Sequence, residues 1–138
     1  MNSLNKSTES LLRELELESL IREELNDVIL YFDYKTDVDY RLILSIITIS
    51  KNHGEKFLFH RITAQDKLDC LENMLDYIRS DYKSNSLNYE IIWHKKGEHI
   101  DIKSWFCGKS FLNIMEKFFF LKDTQEIIIF NVNLKPSA

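Results

Sequence analysis

Segment 88–106 contains the residues whose types and spacing best suit a metal ion. Two predicted strands joined by a two-residue turn would set His94 opposite His99, with Asp101 on the same face of the hairpin. Cross-strand neighbours have Cβ atoms about 5 Å apart, so two imidazoles and a carboxylate could share one ion. These three residues are the candidate metal site. The interpretation that the pattern favours is a solvent-exposed hairpin face of mixed charge.

The opposite face of this hairpin is predicted to be buried. The same register pairs Trp93 with Ile100 and Ile91 with Ile102, so apolar pairs alternate with polar pairs along the two strands. This alternation is typical of an antiparallel hairpin with one face against a core.

Aromatic and basic side chains also cluster in this segment, which makes single-stranded nucleic acid a candidate partner. Bases stack on aromatic rings and lysines contact phosphates. The cluster consists of Trp93, His94, Lys95, Lys96, Lys103 and Trp105. Nucleic acid is nevertheless disfavoured, because Trp93 falls on the predicted buried face and the formal net charge of the chain is −4.

The tripeptide Gly108-Lys109-Ser110 lies where a predicted strand meets a predicted helix. A helix N-terminus with a lysine and a hydroxyl suits an anion, so these residues are a candidate anion site. A nucleotide-binding P-loop would need another glycine five positions earlier, where this chain has Lys103. The favoured interpretation is structural, with Gly108 easing the turn and Ser110 capping the helix.

Cys70 and Cys107 show no disulfide-framework spacing and no CxxC motif, and they are interpreted as buried, reduced thiols. A position beside a helix N-terminus would lower the pKa of the Cys107 thiol. No histidine or acid partner is defined for it, however, and no Ser/His/Asp order or HExxH motif occurs. We therefore expect a non-enzymatic protein with no cofactor.

The N-terminal segment Thr8–Asn26 is rich in leucine, glutamate and arginine, which predicts a helix. Its broad apolar face would contain Leu11, Leu15, Ile21, Leu25, Val28 and Phe32. Off that face lie Leu12, Leu20 and Leu30, which form the candidate interaction surface. A helix that is apolar on two sides is expected to associate with a second surface, such as a dimer partner. Continuation of the helix to about residue 33 is favoured over a short strand there.

Two β-hairpin–helix units follow, with a period of about 44 residues. The first has strands at Tyr40–Ser50 and Lys56–Ile62 and a helix that opens with a capping-box-like pair, Thr63 and Asp66, and ends at Ser84–Ser86. The second has strands at Asn88–Lys95 and Glu98–Phe106 and a helix from Ser110 to about Leu121, before a last strand at Glu126–Leu134. The predicted fold is α+β, an antiparallel sheet of four to five strands with helices on one face.

If Val28–Tyr34 formed a strand instead, the element order would be helix, three strands, helix, two strands and helix. That order resembles the small acidic dimeric chaperones of type III secretion, whose size and acidity also agree. The last strand, Glu126–Leu134, would be an addition that this plan lacks. The resemblance implies a protein-binding function.

Composition limits the remaining classes. The chain has 138 residues, 44% of them hydrophobic, which predicts one domain, 1–138, with disorder confined to about the first ten residues and the tail. Neither a secretory signal nor an apolar run of membrane-spanning length is visible, so a cytoplasmic protein is expected. The expected function is protein interaction or self-association; the alternatives are the nucleic-acid-binding module and the small metal protein or enzyme.

Overall fold

The computed structural model describes residues 3–26, 28–51, 53–82, 87–120 and 122–135. Within them the chain has three α-helices and two antiparallel three-stranded sheets. It forms two compact units, Met1–Ser80 and Asp81–Ala138. The predicted α+β class is confirmed, but the strands form two sheets rather than one sheet of four to five strands.

The first unit contains one sheet and two helices. Helix α1 spans Ser3–Glu24, and strands β1, β2 and β3 span Ile29–Thr36, Leu42–Ile49 and Lys56–Ala64. Helix α2 spans Lys67–Tyr77 and continues into a π-helical turn, Ile78–Tyr82. The strand order is β1-β2-β3, so the β-branched run of β2 is central and paired on both sides, as its apolar character on both faces predicts.

Strand β1 corrects the prediction of a helix continuing to about residue 33. Every residue of β1 pairs with β2, from Ile29 opposite Ile49 to Thr36 opposite Leu42. A short apolar run fits a helix or a strand equally well on its own, so pairing with a neighbouring strand decides between them. The element order from α1 through the second unit's helix is therefore helix, three strands, helix, two strands and helix.

The core of the first unit is apolar and draws on both helices and on the sheet. Each large aliphatic side chain removed from water contributes about 2 kcal/mol. The buried residues are Leu17, Ile21 and Leu25 of α1 and its last turn, Leu30 of β1, Leu44, Ile46 and Ile47 of β2, Phe57 and Leu58 of β3, and Cys70, Leu71, Met74, Leu75 and Tyr77 of α2 with Ile78.

The start of α2 differs from the predicted capping pair. Asp66 is the N-cap residue, with an extended backbone, and its Oδ1 accepts a hydrogen bond of 2.8 Å from the Asp69 backbone N–H. Thr63 lies in β3, opposite Ile43. The helix therefore begins one turn later than a cap at Thr63 would require. Its predicted end at Ser84–Ser86, like Leu121 and the tail Pro136–Ala138, lies outside the described residues.

The second unit contains the other sheet and one helix. Strands β4 and β5 span Leu87–Lys95 and Ile102–Gly108, helix α3 spans Phe111–Phe119, and strand β6 spans Ile127–Lys135 after a short 3₁₀ turn. The strand order is β5-β4-β6. The core consists of Ile91, Trp93, Phe106, Ile114 and Phe118, and the rings of Trp93 and Phe118 meet edge to face with centroids 5.2 Å apart.

Among the described residues, no helix has both the length and the apolar character needed to cross a membrane.

Candidate functional site

The β4–β5 hairpin has a different register from the predicted one. Trp93 lies opposite Ile102 and Ile91 opposite Ser104, each two residues further along β5 than expected. The turn at Gly97, where φ is +86°, occurs as predicted, but residues 98–101 are not in the strand. A shift of two residues preserves the faces, so Trp93 and Ile91 are buried as predicted.

Two of the three candidate metal ligands lie close together. His94 Nδ1 is 3.6 Å from Asp101 Oδ1, and the His94 ring packs against Phe130 with centroids 4.6 Å apart. His99 is exposed in the loop that precedes β5 rather than opposite His94. The described part of the chain holds no group of three or more His, Cys, Asp or Glu side chains placed to bind a metal ion.

The aromatic and basic cluster is split between the two faces of the sheet. Trp93 is fully buried, and its indole N–H donates a 3.1 Å hydrogen bond to Ser104 Oγ. Trp105 lies on the opposite face, opposite Glu90, with 62% of its surface exposed. Lys103 shares that face two residues earlier. An exposed tryptophan beside a lysine is what remains of the predicted nucleic-acid surface.

The candidate anion site is occupied by contacts within the protein. Ser110 caps α3, accepting a 3.1 Å hydrogen bond from the Asn113 N–H, and the Lys109 N–H donates to Asn113 Oδ1 at 3.2 Å. Gly108 is required by packing, because a Cβ there would collide with the side chains of Asn113 and Ile114. The predicted capping role of Ser110 is confirmed.

Cys107 does not have the activated thiol that its position suggested. Its Sγ donates to Asn88 Oδ1 at 2.7 Å, and burial raises the pKa of the thiol, although a hydrogen bond with Tyr82 and the nearby Lys117 act in the opposite direction. Both Cys70 and Cys107 are free thiols. Burial raises the pKa of Cys70 as well, so neither cysteine is primed as a nucleophile.

Lys117 is a buried amine that sequence reasoning missed. It lies on the inner face of α3 with only 3% of its surface exposed, and its Nζ donates a 2.8 Å hydrogen bond to the Cys107 carbonyl oxygen. Burial lowers the pKa of this amine to about 8. The spacing of apolar residues on either side of it, Ile114 and Phe118, was the available signal, since a residue at position 117 shares their helix face.

The three leucines of the candidate interaction surface do not lie together. Leu12 is exposed on α1, with 60% of its surface accessible. Leu20 is half-buried on the same helix, and Leu30 is buried in β1. The predicted apolar face is also partly wrong, because Leu11 and Leu15 are exposed while Leu17 and Ile21 are buried.

The exposed leucines of α1 instead form one compact patch, here called the α1 leucine patch: Leu11, Leu12 and Leu15. At 3.6 residues per turn these side chains fall within roughly a 100° arc, about 140° around the helix from the buried stripe of Leu17 and Ile21. None of the described side chains of residues 8–16 is buried. The first half of α1 therefore contributes nothing to the core of its own unit.

The patch continues along the helix into an open groove at the junction of α1 and β1. Arg22 is held there, with its guanidinium 4.9 Å from the centroid of the Phe32 ring and donating to the Leu30 carbonyl oxygen at 3.4 Å. The groove is lined by Ser19, Arg22, Glu23, Leu25, Asn26, Val28 and Leu30. Patch and groove together span about 18 Å along the axis of α1, from Leu11 to Glu23.

Glutamates flank the patch. Glu9, Glu16 and Glu23 recur every seven residues and are exposed, so they form a line along the helix beside Leu12. Arg13 offsets one of these charges, with its Nη1 2.7 Å from Glu16 Oε1. The chemical character of this surface is thus an apolar strip with an acidic border.

Comparisons of this chain with models of protein families, with curated proteins and with solved structures find no match.

Proposed function

We propose that this chain is a non-enzymatic protein-interaction domain whose α1 leucine patch binds an apolar segment of a partner protein. The observation that supports it is the patch itself: three leucines exposed side by side on a half-helix with no buried side chain among its described residues 8–16. A helix with two apolar faces packs one of them against its own core, and the other stays available to a partner.

Burial of the patch supplies a physical reason to bind. Covering a fully exposed leucine contributes roughly 1.5–3 kcal/mol, and Leu11, Leu12 and Leu15 each expose about half of their surface. Together they supply on the order of 3 kcal/mol, with the groove beyond them adding contacts. Micromolar affinity corresponds to about 8 kcal/mol, so the patch supplies less than half of it, and contacts in the groove and at the acidic border must supply the rest.

The acidic border indicates the chemistry of that partner. A segment with apolar residues on one side and lysines or arginines beside them would pair with Glu9, Glu16 and Glu23. Pairing of α1 with a second α1 is less favourable, because an antiparallel helix pair would bring these glutamates towards one another. We therefore propose a basic, apolar partner segment for this surface.

The element order supports the same class of function. With β1 as a strand, the order from α1 to α3 resembles that of the small acidic chaperones of type III secretion, and β6 is an addition to that plan. Both cysteines are free thiols, which supports a reducing compartment, and we place the protein in the cytoplasm as part of this proposal.

The proposal is tested by titrating the protein into a fluorescently labelled amphipathic peptide of about 14 residues, with leucines on one face and lysines flanking them. We expect saturable binding that weakens at least tenfold in the Leu11→Ser/Leu12→Ser/Leu15→Ser variant. The control, Leu112→Ser in α3, changes a leucine of the second unit that is 73% exposed, and this variant should bind normally. If the wild-type chain and the triple variant bind the peptide with equal affinity, the α1 leucine patch is not the binding surface.

A second candidate, single-stranded nucleic acid, is favoured by the exposure of Trp105 beside Lys103. Stacking of a base on this ring would quench its fluorescence, and binding would weaken steeply with salt. Absence of binding to labelled oligonucleotides at low salt, or unchanged binding in Trp105→Ala, would exclude this function.

A further inference from the structure

We propose that strand β6 pairs with the β6 strand of a second copy of this chain, joining two β5-β4-β6 sheets into one antiparallel sheet of six strands. This self-association goes beyond the α1 surface and does not depend on it.

Strand β6 is paired along one side only. Its ladder with β4 runs from Lys135 opposite Asn88 to Ile127 opposite Lys95, and β6 ends the sheet order β5-β4-β6. Within the residues that the structure describes, no strand pairs with its other side. Alternate backbone N–H and C=O groups on that side are therefore available to a further strand.

Charge distinguishes β6 from the other edge strands. Lysine and other charged side chains on an edge prevent unwanted pairing. The three other edges carry them: Asp33 and Lys35 in β1, Lys56, His60 and Arg61 in β3, and Lys103 in β5. Strand β6 has no ionisable side chain from Ile127 to Leu134. Its one charged residue is Lys135 at the end of the strand, so among the described edge strands β6 has the longest uncharged run.

Apolar exposure adds a driving force. Phe130 and Leu134 expose 56% and 57% of their surfaces, and Ile128 is also exposed. The ladder skips Phe130, since Ile92 lies opposite Asn131 and Trp93 opposite Ile129. This bulge divides β6, and we centre the new ladder on Val132, in the regular stretch that begins at Asn131.

The sequence of that stretch suits a copy of itself better than an unrelated strand. A two-fold axis perpendicular to the sheet at Val132 sets each Val132 opposite the other, and sets Asn131 of one copy opposite Asn133 of the second copy. The Asn133 amide donates through Nδ2 to Glu90 Oε1 at 3.3 Å, and its Oδ1 can accept a hydrogen bond from the Asn131 amide of the second copy. In an edge strand with charged residues near this axis, like charges of the two copies would repel each other. The uncharged run of β6 avoids this repulsion.

The test is the mass of the full chain in solution, measured by light scattering over a range from about 1 µM to 1 mM, the span of weak to moderate association. We expect a dimer of twice 16.5 kDa. Asn131→Lys and Asn131→Glu should each raise the dimer dissociation constant at least tenfold. An equimolar mixture of the two variants should restore the dimer, because opposite charges then lie diagonally across the ladder. A wild-type tryptophan emission spectrum confirms that each variant is folded.

Two controls separate this surface from others. Asn73→Lys makes the same change at an exposed position of α2, and the triple leucine-to-serine variant removes the α1 leucine patch; both should remain dimeric. Any one of four results would overturn the proposal. The chain is a monomer at all concentrations, substitution of Asn131 leaves the dimer unchanged, Asn73→Lys dissociates the dimer equally, or mixing the two Asn131 variants does not restore it. If only the triple leucine variant dissociates, the dimer lies on α1, which overturns the β6 pairing while leaving a protein-interaction function in place.

Discussion

The least expected residue of the second unit is Lys117, a cation on the buried face of α3. An ammonium group inside a protein is tolerated only when its hydrogens find acceptors. Here Nζ donates to the carbonyl oxygen of Cys107, in edge strand β5. The amine thus ties α3 to the sheet, and burial lowers its pKa from 10.5 to about 8.

This lowered pKa predicts a stability that rises with pH. Below about pH 8 Lys117 is protonated in both the folded and the unfolded chain, so the full penalty of burying its charge is present. Between about 8 and 10.5 the unfolded chain binds the proton more tightly, so raising the pH favours the folded state. We expect the free energy of unfolding to increase by roughly 1 kcal/mol from pH 8 to 9.

The measurement is urea denaturation followed by tryptophan fluorescence, because both tryptophans lie in the second unit. Above pH 9 the raised pKa of Cys107 acts in the opposite direction, since the unfolded thiol then ionises first. The Lys117→Met variant keeps the volume and removes the titration. A pH dependence that persists in Lys117→Met would contradict this assignment.

The two tryptophans predict opposite responses to truncation. Trp93 is fully buried against Phe118, so Trp93→Ala should destabilise the second unit by roughly 3–5 kcal/mol. Trp105 is exposed, and Trp105→Ala should change stability by less than about 0.5 kcal/mol. The remaining tryptophan reports unfolding in each variant. Similar losses in both would mean that Trp105 is also part of a core.

At the scale of the elements, the start of α2 is the clearest test of a local assignment. Asp66→Ala removes the oxygen that accepts the Asp69 N–H and should cost about 1 kcal/mol. Thr63→Ala is the matched control, because Thr63 lies exposed in β3 and caps nothing. Far-UV circular dichroism during denaturation measures both. A larger loss for Thr63→Ala would favour the predicted earlier cap.

Local sequence patterns predicted most of the helices and strands, but not which residues of two paired strands lie opposite each other. The strands β2, β3, β4 and β6 follow β-branched and aromatic runs, and Ser110 was recognisable as a cap. The register between β4 and β5 was not recognisable, because a shift of two residues leaves the alternation of apolar and polar side chains unchanged. Residues 98–101 keep this alternation although they form a loop. His99 was placed opposite His94 by that error, so the predicted metal site depended on it.

The candidate site was only partly visible in the sequence for a similar reason. A helix made of leucines and glutamates offers two apolar stripes, and periodicity alone does not say which one packs on the unit's core. The sequence placed Leu11 and Leu15 on the same broad apolar face as Val28 and Phe32, on a helix continued to about residue 33. Because β1 begins at Ile29, the inner stripe is instead Leu17, Ile21 and Leu25.

At the scale of the whole molecule, charge is unevenly distributed between the two units. Residues 1–80 carry 10 Lys and Arg and 15 Asp and Glu, a net charge of −5, whereas residues 81–138 carry 8 and 7, a net charge of +1. The acidic excess is thus confined to the unit that holds the α1 leucine patch. This distribution favours approach of a basic partner to the first unit.

Both units also share a plan that local patterns did not predict. In each, the first strand of the hairpin is central, and a third strand pairs with its free side: β1 with β2 in the first unit and β6 with β4 in the second. The β4–β6 pairing joins segments separated by β5 and α3, whereas β1 and β2 are consecutive and form a pair only because residues 29–36 are a strand. The β4–β6 pairing therefore depends on the tertiary structure rather than on any window of sequence.

The central claim, a basic apolar partner for α1, is tested most directly by exchanging the charge of its border. The variant Glu9→Lys/Glu16→Lys/Glu23→Lys leaves the α1 leucine patch intact. Its affinity is measured for two labelled amphipathic peptides that share leucine positions and differ only in flanking lysines or glutamates. We predict that the wild-type chain prefers the lysine peptide and the variant prefers the glutamate peptide, each by at least tenfold, or about 1.4 kcal/mol.

A control variant makes the same change in charge on other exposed acidic side chains: Glu72→Lys, Asp76→Lys and Glu98→Lys. It should keep the wild-type preference for the lysine peptide, because none of these residues belongs to the α1 leucine patch, to its acidic border or to the groove. The account is contradicted if the border variant still prefers the lysine peptide, or if the control reverses the preference as fully as the border variant does.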